Sequence, residues 1–238
     1  MYTKVRAILL SSVAASGGAV IITSLTDVYG KISLITKGIH SKKALVKPAY
    51  LMPLNILDLQ IDFRQNKDLH YIREAKPFLI PSSLEAQPVK RAISFFVAEV
   101  LQRSLHEHQP LPAVFEFVLR WIEAFDESEH STGLIVHWLL AHLIKVLGIE
   151  PNLLPGNHWL DLVEGKSVAE EPYHPHKVKP ELATQLYLLF NKTNMYNPDS
   201  VGKTTKAELL DVLLLYLRLH IPEFGTPKTL SVLKELFE

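Results

Sequence analysis

Cysteine is absent from this chain of 238 residues. Without thiols the protein can form no disulfide, no cysteine-ligated zinc site, no iron–sulfur cluster and no cysteine nucleophile. The composition therefore fits a reducing compartment. Hydrophobic residues still make up 47% of the chain, which is enough for a packed core and argues against wholesale disorder.

Long hydrophobic runs are also lacking. The longest apolar stretch, residues 209–221, is interrupted by charged residues, so it predicts a buried core helix rather than a span of about 20 apolar residues. The N-terminal residues 1–19 loosely resemble a secretory signal. Because Ser11 and Ser12 interrupt the apolar part and the segment continues into a strand pattern, we interpret it as part of the fold.

No motif of an enzyme is recognisable. The stretch GKTT at 202–205 lacks the earlier glycine of a phosphate-binding loop, since Asn197 stands at that position. His158, His174 and His176 fall in one irregular stretch, but a zinc site needs three or four ligands of matched geometry. We therefore expect no catalytic residue, no metal site and no cofactor, although the sequence leaves open whether these histidines meet an ion.

Acidic residues are missing from residues 30–47 (GKISLITKGIHSKKALVK), which contain five lysines. The whole chain has 25 basic and 25 acidic residues, yet residues 1–80 hold 11 Lys and Arg against 5 Asp and Glu, and the remainder holds 14 against 20. Such asymmetry favours two domains with different partners. A basic half suits a polyanion, because each neutralised phosphate releases counterions, but a solvated lysine-rich surface gives the same pattern.

The first 80 residues read as five short strands joined by turns. β-branched or alternating patterns predict strands at residues 4–13, 19–26, 31–37, 50–63 and 69–78. Pro53 within the fourth of these indicates an edge position or a bulge. Five strands in about 75 residues suit a small closed barrel, of which the OB-fold is the type that commonly binds single-stranded nucleic acid. An SH3-like barrel is the structural alternative.

After Pro81 the hydrophobic period changes to that of helices. Apolar residues recur at helical spacing in residues 93–105 and 114–125, and further helices are expected at 134–147, 181–190, 206–219 and 227–237. Residues 151–179 are expected to be irregular. The predicted architecture is therefore α+β, with a five-stranded OB-fold barrel at residues 1–80 that binds nucleic acid, followed by an all-helical domain at residues 81–238 that binds partners.

Basic and aromatic side chains on the predicted barrel form the candidate site. Single-strand binders combine a cationic groove with aromatic side chains on which bases stack. The proposed phosphate contacts are Lys31, Lys37, Lys42, Lys43 and Lys47, with Tyr29 and His40 as stacking candidates and Arg64, Lys67 and Arg73 as an extension of the track. Each charge taken alone fits a solvated surface better, whereas the set together favours contact with a polyanion.

Four stretches, in this order, resemble the RecO family of bacterial recombination mediators. They are KVRAILLSSV, VIITSLTDVYGKISLITKGIHSKK, LLAHLIKVLGIEPNL and YLRLHIPEFGTPKTLSVLKEL. Together they span nearly the whole chain, and the Tyr-Gly-Lys turn of the second is moderately specific. Lys31, Lys37, Lys42 and Lys43 lie within that stretch, whereas Arg64, Lys67 and Arg73 rest on charge and turn position only.

The resemblance implies a DNA repair and homologous recombination mediator without enzymatic activity. Such a protein binds single- and double-stranded DNA, anneals complementary strands and assists loading of the RecA recombinase. Its implied partners are RecR and the C-terminal tail of single-strand-binding protein, and its implied location is the cytoplasm, near the nucleoid, with no membrane contact. Some family members carry a four-cysteine zinc site after the Leu-Gly-x-x-Pro helix. This chain has no cysteine there, so zinc is not expected.

Two other functions remain compatible with the same residues. One is an adaptor in which the barrel and the helices bind protein partners and the lysines only confer solubility. The other is an OB-type RNA-binding protein, since the 2′-hydroxyl is the local difference between the two nucleic acids. Salt dependence of nucleic-acid binding separates the adaptor from the other two, because phosphate contacts make affinity fall with salt.

Overall fold

A computed structural model describes residues 2–41, 44–128, 134–191 and 202–237. The chain divides into two compact units, one formed by Met1–Ser128 with Thr229–Leu233 and the other by Glu129–Lys228 with Lys234–Glu238. The first unit contains the barrel and three helices, and the second contains a small sheet and most of the remaining helices. No helix in the described ranges is long and apolar enough to cross a membrane.

Five strands form a closed barrel in the first unit. The strands are β1 (Tyr2–Ala15), β2 (Ala19–Thr26), β3 (Gly30–Lys37), β4 (Ile56–Asp62) and β5 (Leu69–Leu79). Their order around the barrel is β1-β2-β3-β5-β4, and β4 pairs with β1 to close it. All neighbours are antiparallel except β3 and β5. The long β1 contacts both β2 and β4, and its register shifts between Leu9 and Ser11.

The barrel interior is filled by alternate residues of the strands. Val5, Ala7 and Leu9 of β1 and the Leu57, Leu59, Ile61 series of β4 are buried together in one apolar cluster. The residues between them, such as Asp58 and Gln60, point to the outer surface because successive strand side chains face opposite sides. The alternation of apolar and polar residues in β4 thus gives the strand a buried inner face and a more exposed outer face.

The predicted strand at residues 50–63 was wrong in its first half. Residues Pro48–Leu51 form a 3₁₀ turn, and the strand begins only at Ile56. Pro48 and Pro53 explain the difference, because proline has no N–H to give to a β-ladder. The segment is instead fixed by Asn55, whose side-chain amide donates to the carbonyl oxygens of Ala49 and Tyr50.

Three helices follow the barrel in the first unit: α1 (Ser82–Ala86), α2 (Pro88–Ser104) and α3 (Pro112–Glu127). Lys90 of α2 is fully buried beside the C-terminal end of α3. Its ammonium donates to the carbonyl oxygens of Phe125, Asp126 and Ser128 at 2.7, 3.1 and 2.6 Å. A cation suits this place because the last carbonyls of a helix lack partners and carry partial negative charge.

The second unit joins helices to a small sheet. Its helices are α4 (Ile135–Val146), α5 (Pro180–Asn191) and α6 (Lys203–His220), and the short α7 (Leu230–Phe237) follows at the end of the chain. Residues 151–179, predicted as irregular, contain the three strands β6 (Trp159–Asp161), β7 (Lys166–Val168) and β8 (Lys177–Val178) in the order β7-β6-β8. Strands of two or three residues are too short to show periodicity in a sequence.

Candidate nucleic-acid interface

The end of β3 carries the first group of predicted site residues. Lys37 is exposed at the last position of β3, opposite Ala19 of β2, and His40 and Lys47 are exposed in the loop that follows. Their side chains make no described hydrogen bond or ion pair, and Lys47 Nζ lies 6.0 Å from the Tyr50 ring centroid. We call Lys37, His40 and Lys47 the basic rim. Lys42 and Lys43 lie outside the described residues.

The loop that bears Lys47 is held to the barrel by its neighbour. Val46 is fully buried in the barrel core, so the backbone next to the exposed Lys47 is anchored to the barrel. At the start of the loop, the Gly38 N–H donates to the Gly18 carbonyl in the β1–β2 turn at 3.3 Å. The rim is therefore a fixed edge of the barrel at both of its ends.

Lys31 has a partner inside the first unit. Its ammonium donates to the Gln102 carbonyl of α2 at 2.9 Å, and its own carbonyl accepts from the His108 N–H. Burial lowers the pKa of Lys31 from its ordinary value, while the Glu107 carboxylate acts in the opposite direction. These contacts connect β3 to the segment between α2 and α3, and a phosphate would have to compete with them.

Tyr29 lies in a ring stack at the β2–β3 turn. Its ring is 3.7 Å from that of Phe63, nearly parallel, and its hydroxyl donates to Thr3 Oγ1 at 3.2 Å. Phe63 in turn stacks on His70. Burial, with His108 nearby, lowers the pKa of His70 from its ordinary value. One face of Tyr29 is thus already covered, which leaves it less available for a base than the sequence suggested.

Two of the remaining predicted residues, Arg64 and Arg73, bind Asp62. Arg64 and Arg73 each donate from Nη2 to Asp62 Oδ2, at 3.1 and 3.3 Å, while their side chains stay 58% and 46% exposed. The hydrogen bond from Arg64, assisted by that from Arg73, holds the pKa of Asp62 below its ordinary value. Lys67 is exposed in the same turn, where its N–H donates to the Arg64 carbonyl at 3.1 Å.

Two exposed tyrosines beside this cluster were missed by the sequence reasoning. Tyr2 of β1 and Tyr71 of β5 are both opposite Asp62 of β4 in the strand register. The Arg73 guanidinium carbon lies 5.7 Å from the Tyr2 ring centroid and 5.8 Å from that of Tyr71. Alternation in YTKVRA and LHYIREA indicates that both tyrosines face outward, but only the pairing of the strands brings them together.

The histidines of the second unit form no metal centre in the described residues. His174 Nε2 lies 3.1 Å from Asp161 Oδ2, and the ring centroids of His174 and His176 are 6.3 Å apart. Across the part of the chain that the structure describes, no group of three or more His, Cys, Asp or Glu side chains comes together as metal ligands do.

Comparison with known proteins matches both halves of the chain. The family described as Recombination protein O N terminal matches residues 1–79, and that described as Recombination protein O C terminal matches residues 86–229. DNA repair protein RecO of Bacteroides fragilis is 30% identical over 245 residues, which cover 100% of both chains. The same protein of Phocaeicola vulgatus is 30% identical over 225 residues (90% of this chain, 92% of the relative), and that of Flavobacterium psychrophilum is 28% identical over 244 residues, covering 100% of both chains.

A closed five-stranded barrel with this strand order, followed by a helical region, places the chain in the class of OB-fold proteins. The matches over both regions and the full-length relatives then identify it more narrowly: the chain belongs to the RecO family of DNA repair proteins. The family resemblance and the α+β architecture expected from the sequence are confirmed.

Proposed function

We propose that this protein is a mediator of DNA repair by homologous recombination. It binds single- and double-stranded DNA, anneals complementary strands and assists loading of RecA onto single-stranded DNA coated by single-strand-binding protein. No covalent chemistry is involved, and the activity belongs to the cytoplasm, where chromosomal DNA lies. DNA contacts fall to the barrel region, residues 1–80, and partner contacts to residues 81–238.

The observation that carries this proposal is the exposed basic rim on an OB-type barrel in a chain that matches RecO over its full length. Lys37 and Lys47 have no acidic partner among the described residues, so their charge is available to phosphates. Lys42 and Lys43 add two further cations in the sequence between them. Phosphate neutralisation releases counterions, which supplies affinity that does not depend on base sequence.

Annealing follows from the same electrostatics. Two complementary strands repel each other through their phosphates, and a cationic surface lowers this repulsion while the bases stay free to pair. RecR, the acidic C-terminal tail of single-strand-binding protein and, indirectly, RecA are the proposed partners. Binding to this acidic tail brings the protein to DNA that single-strand-binding protein already covers.

Fluorescence anisotropy of a labelled single-stranded oligonucleotide, titrated across a salt series, tests DNA binding. We expect affinity to fall log-linearly with salt, with a slope of about −0.7 for each phosphate contact. The variant Lys37→Glu/Lys47→Glu should bind at least about 10-fold more weakly at low salt. The matched control Lys179→Glu/Arg218→Glu changes charge equally at exposed positions of the second unit and should bind as the wild type does.

Strand annealing is measured in a second assay, as the loss of donor fluorescence when two complementary labelled oligonucleotides pair. The wild type should accelerate annealing and the rim variant should not. If the wild type binds no oligonucleotide at low salt, the mediator proposal is wrong. The search should then turn to protein partners of the second unit. If binding is salt-sensitive but the rim variant is unaffected, the function stands and the contacts lie elsewhere.

A further inference from the structure

The outer surface of β1, β4 and β5 carries an exposed aromatic pair that the proposed function does not explain. Tyr2 is 60% exposed and Tyr71 is 47% exposed, both on the outside of the barrel. Large aromatic side chains usually contribute to a core, and an exposed group of them beside a cation marks a surface that binds something.

The geometry is fixed by strand pairing and by one carboxylate. Tyr2, Asp62 and Tyr71 stand opposite one another on three neighbouring strands. Asp62 is nearly buried and accepts a hydrogen bond from Arg73, whose guanidinium carbon lies 5.7 and 5.8 Å from the two ring centroids. Asp62 therefore holds the cation over one face of each ring before any ligand arrives, which lowers the entropic cost of binding and leaves the other face of each ring for a base.

Arg64 supplies a second cation from the adjoining turn, bonded to the same Asp62 oxygen. A guanidinium has five N–H donors, and the described contacts use one Nη2 on each of Arg64 and Arg73 toward Asp62. Both side chains are about half exposed, and guanidinium N–H donors match the oxygens of a phosphate. With Asp62 counted, this cluster still has one net positive charge.

We infer that Tyr2, Tyr71 and Arg73, the tyrosine platform, form a second contact for single-stranded DNA, separate from the basic rim. Bases stack on the two rings, and Arg73 with Arg64 binds the intervening phosphates. Stacking on aromatic rings accepts any base, as expected for a protein that handles DNA regardless of sequence. This inference rests on the proposed function, and it provides a place for a second strand during annealing.

Oligothymidylate binding by the full chain tests the platform. Loss of one base–aromatic stack typically weakens binding about 5- to 150-fold, so Tyr2→Ala/Tyr71→Ala should bind at least about 30-fold more weakly. Its salt slope should stay near that of the wild type, because no phosphate contact is removed. Tyr2→Phe/Tyr71→Phe keeps both rings and should bind normally. The matched control is Tyr173→Ala, a fully exposed tyrosine of the second unit.

The outcomes separate this inference from the proposed function. If Tyr2→Ala/Tyr71→Ala binds like the wild type while the rim variant is weakened, the platform is wrong and the mediator function stands. If Arg73→Gln weakens binding but loss of both rings does not, the surface is an anion contact without stacking, and the inference is again overturned. If the wild type binds no single-stranded DNA, both fall together.

A cross-linking experiment covers the case in which the alanine variant is poorly folded. The wild-type protein is irradiated with an oligonucleotide containing 5-bromodeoxyuridine, and the cross-linked residues are mapped by mass spectrometry. We expect cross-links at Tyr2 and Tyr71. Cross-links confined to residues of the basic rim would overturn the platform without any variant being needed.

Discussion

At the scale of single residues, Gly30 shows how one absent side chain permits a close contact. Gly30 begins β3 with φ of +66°, a conformation that L-residues adopt only with strain. A Cβ atom at this position would overlap the backbone carbonyl of Gln109, in the segment between α2 and α3. The neighbouring Lys31 bonds to the same part of the unit, so this corner of the barrel is closed by backbone contacts.

Gly30→Ala should therefore lower the free energy of unfolding by about 3 kcal/mol or more, through backbone strain together with the overlap. The matched control is Gly18→Ala, which has nearly the same φ, +70°, but nothing within 4 Å of the added Cβ. Its expected cost is about 1 kcal/mol. Urea unfolding of both variants measures the difference, and equal losses would show that the contact with Gln109 contributes nothing.

The buried His137 should make the stability of the second unit depend on pH. It is buried in α4, its Nε2 lies 2.8 Å from the Lys206 carbonyl, and burial lowers its pKa to about 4, against the carbonyl contact that raises it. The unfolded state, with an ordinary pKa near 6.5, takes up a proton first as pH falls. Stability from this group is therefore complete above about pH 6.5 and is lost as pH falls toward 4.

Between pH 7 and pH 5 we expect this histidine to remove about 2 kcal/mol from the free energy of unfolding. His137→Gln retains a donor for the carbonyl but does not titrate, so its stability should vary less with pH by that amount. Urea unfolding followed by tryptophan fluorescence suits the measurement, since Trp138 and Trp159 lie in the second unit. Identical pH profiles for the variant and the wild type would contradict the assignment.

At the scale of elements, hydrogen bonds to Asp161 stabilise the sheet of β6, β7 and β8. Its Oδ1 accepts the N–H groups of Val163 and Glu164, at 2.9 and 3.0 Å, and its Oδ2 meets His174 at 3.1 Å. Burial acts to raise the pKa of Asp161, but the hydrogen bonds from these two N–H groups and from His174 together keep that pKa below its ordinary value. One carboxylate thus joins the β6–β7 turn to the segment before β8.

Asp161→Asn should loosen this sheet by about 1–2 kcal/mol, since charge-assisted hydrogen bonds become neutral or are lost. Hydrogen exchange of residues 159–178 is the measurement, and faster exchange confined to that range is the expected result. Glu171→Gln removes an exposed ion pair with Lys177 in the same segment and should have little effect. If both variants show the same hydrogen-exchange rates in this range, the Asp161 carboxylate does not stabilise the sheet.

How much of these elements the sequence could predict depends on their length and their partners. Strands of seven residues or more, such as β3 and β5, show alternation and were predicted nearly to their ends. Ser82 and Glu85 have the spacing of a capping box, but Pro81 is the N-cap of α1 and no side chain caps it there. Instead the Ser83 N–H donates to Asp126 Oδ1, a contact 43 residues away. Long-range partners of this kind leave no local pattern.

The same limit applies to the candidate site. The exposure of Lys37 and Lys47 follows from their places at a strand end and in a polar loop. The engagement of Lys31 with Gln102 depends on how α2 packs against the barrel, which no local pattern records. The tyrosine platform depends on register between β1, β4 and β5, and register is a property of pairs of strands.

At the scale of the whole molecule, the neutral total conceals a basic N-terminal third and an acidic remainder. A basic part attracts DNA, whereas excess acidic charge elsewhere disfavours nonspecific wrapping of DNA around the rest of the chain. Because DNA binding is then confined to few cations, each of them should be visible in the salt dependence of affinity. The basic rim and the Arg64–Arg73 cluster share no described contact, so their contributions should add.

The salt slope for single-stranded DNA tests this additivity. Lys37→Gln/Lys47→Gln should reduce the magnitude of the slope by about 1.4, and Arg64→Gln/Arg73→Gln by a similar amount, since each phosphate contact contributes about 0.7. The four-site variant should lose about 2.8, and either pair alone should slow strand annealing if each group holds one strand. A four-site variant with the slope of one pair would mean that the two groups contact the same phosphates. The protein would then have one continuous DNA track instead of two separate ones.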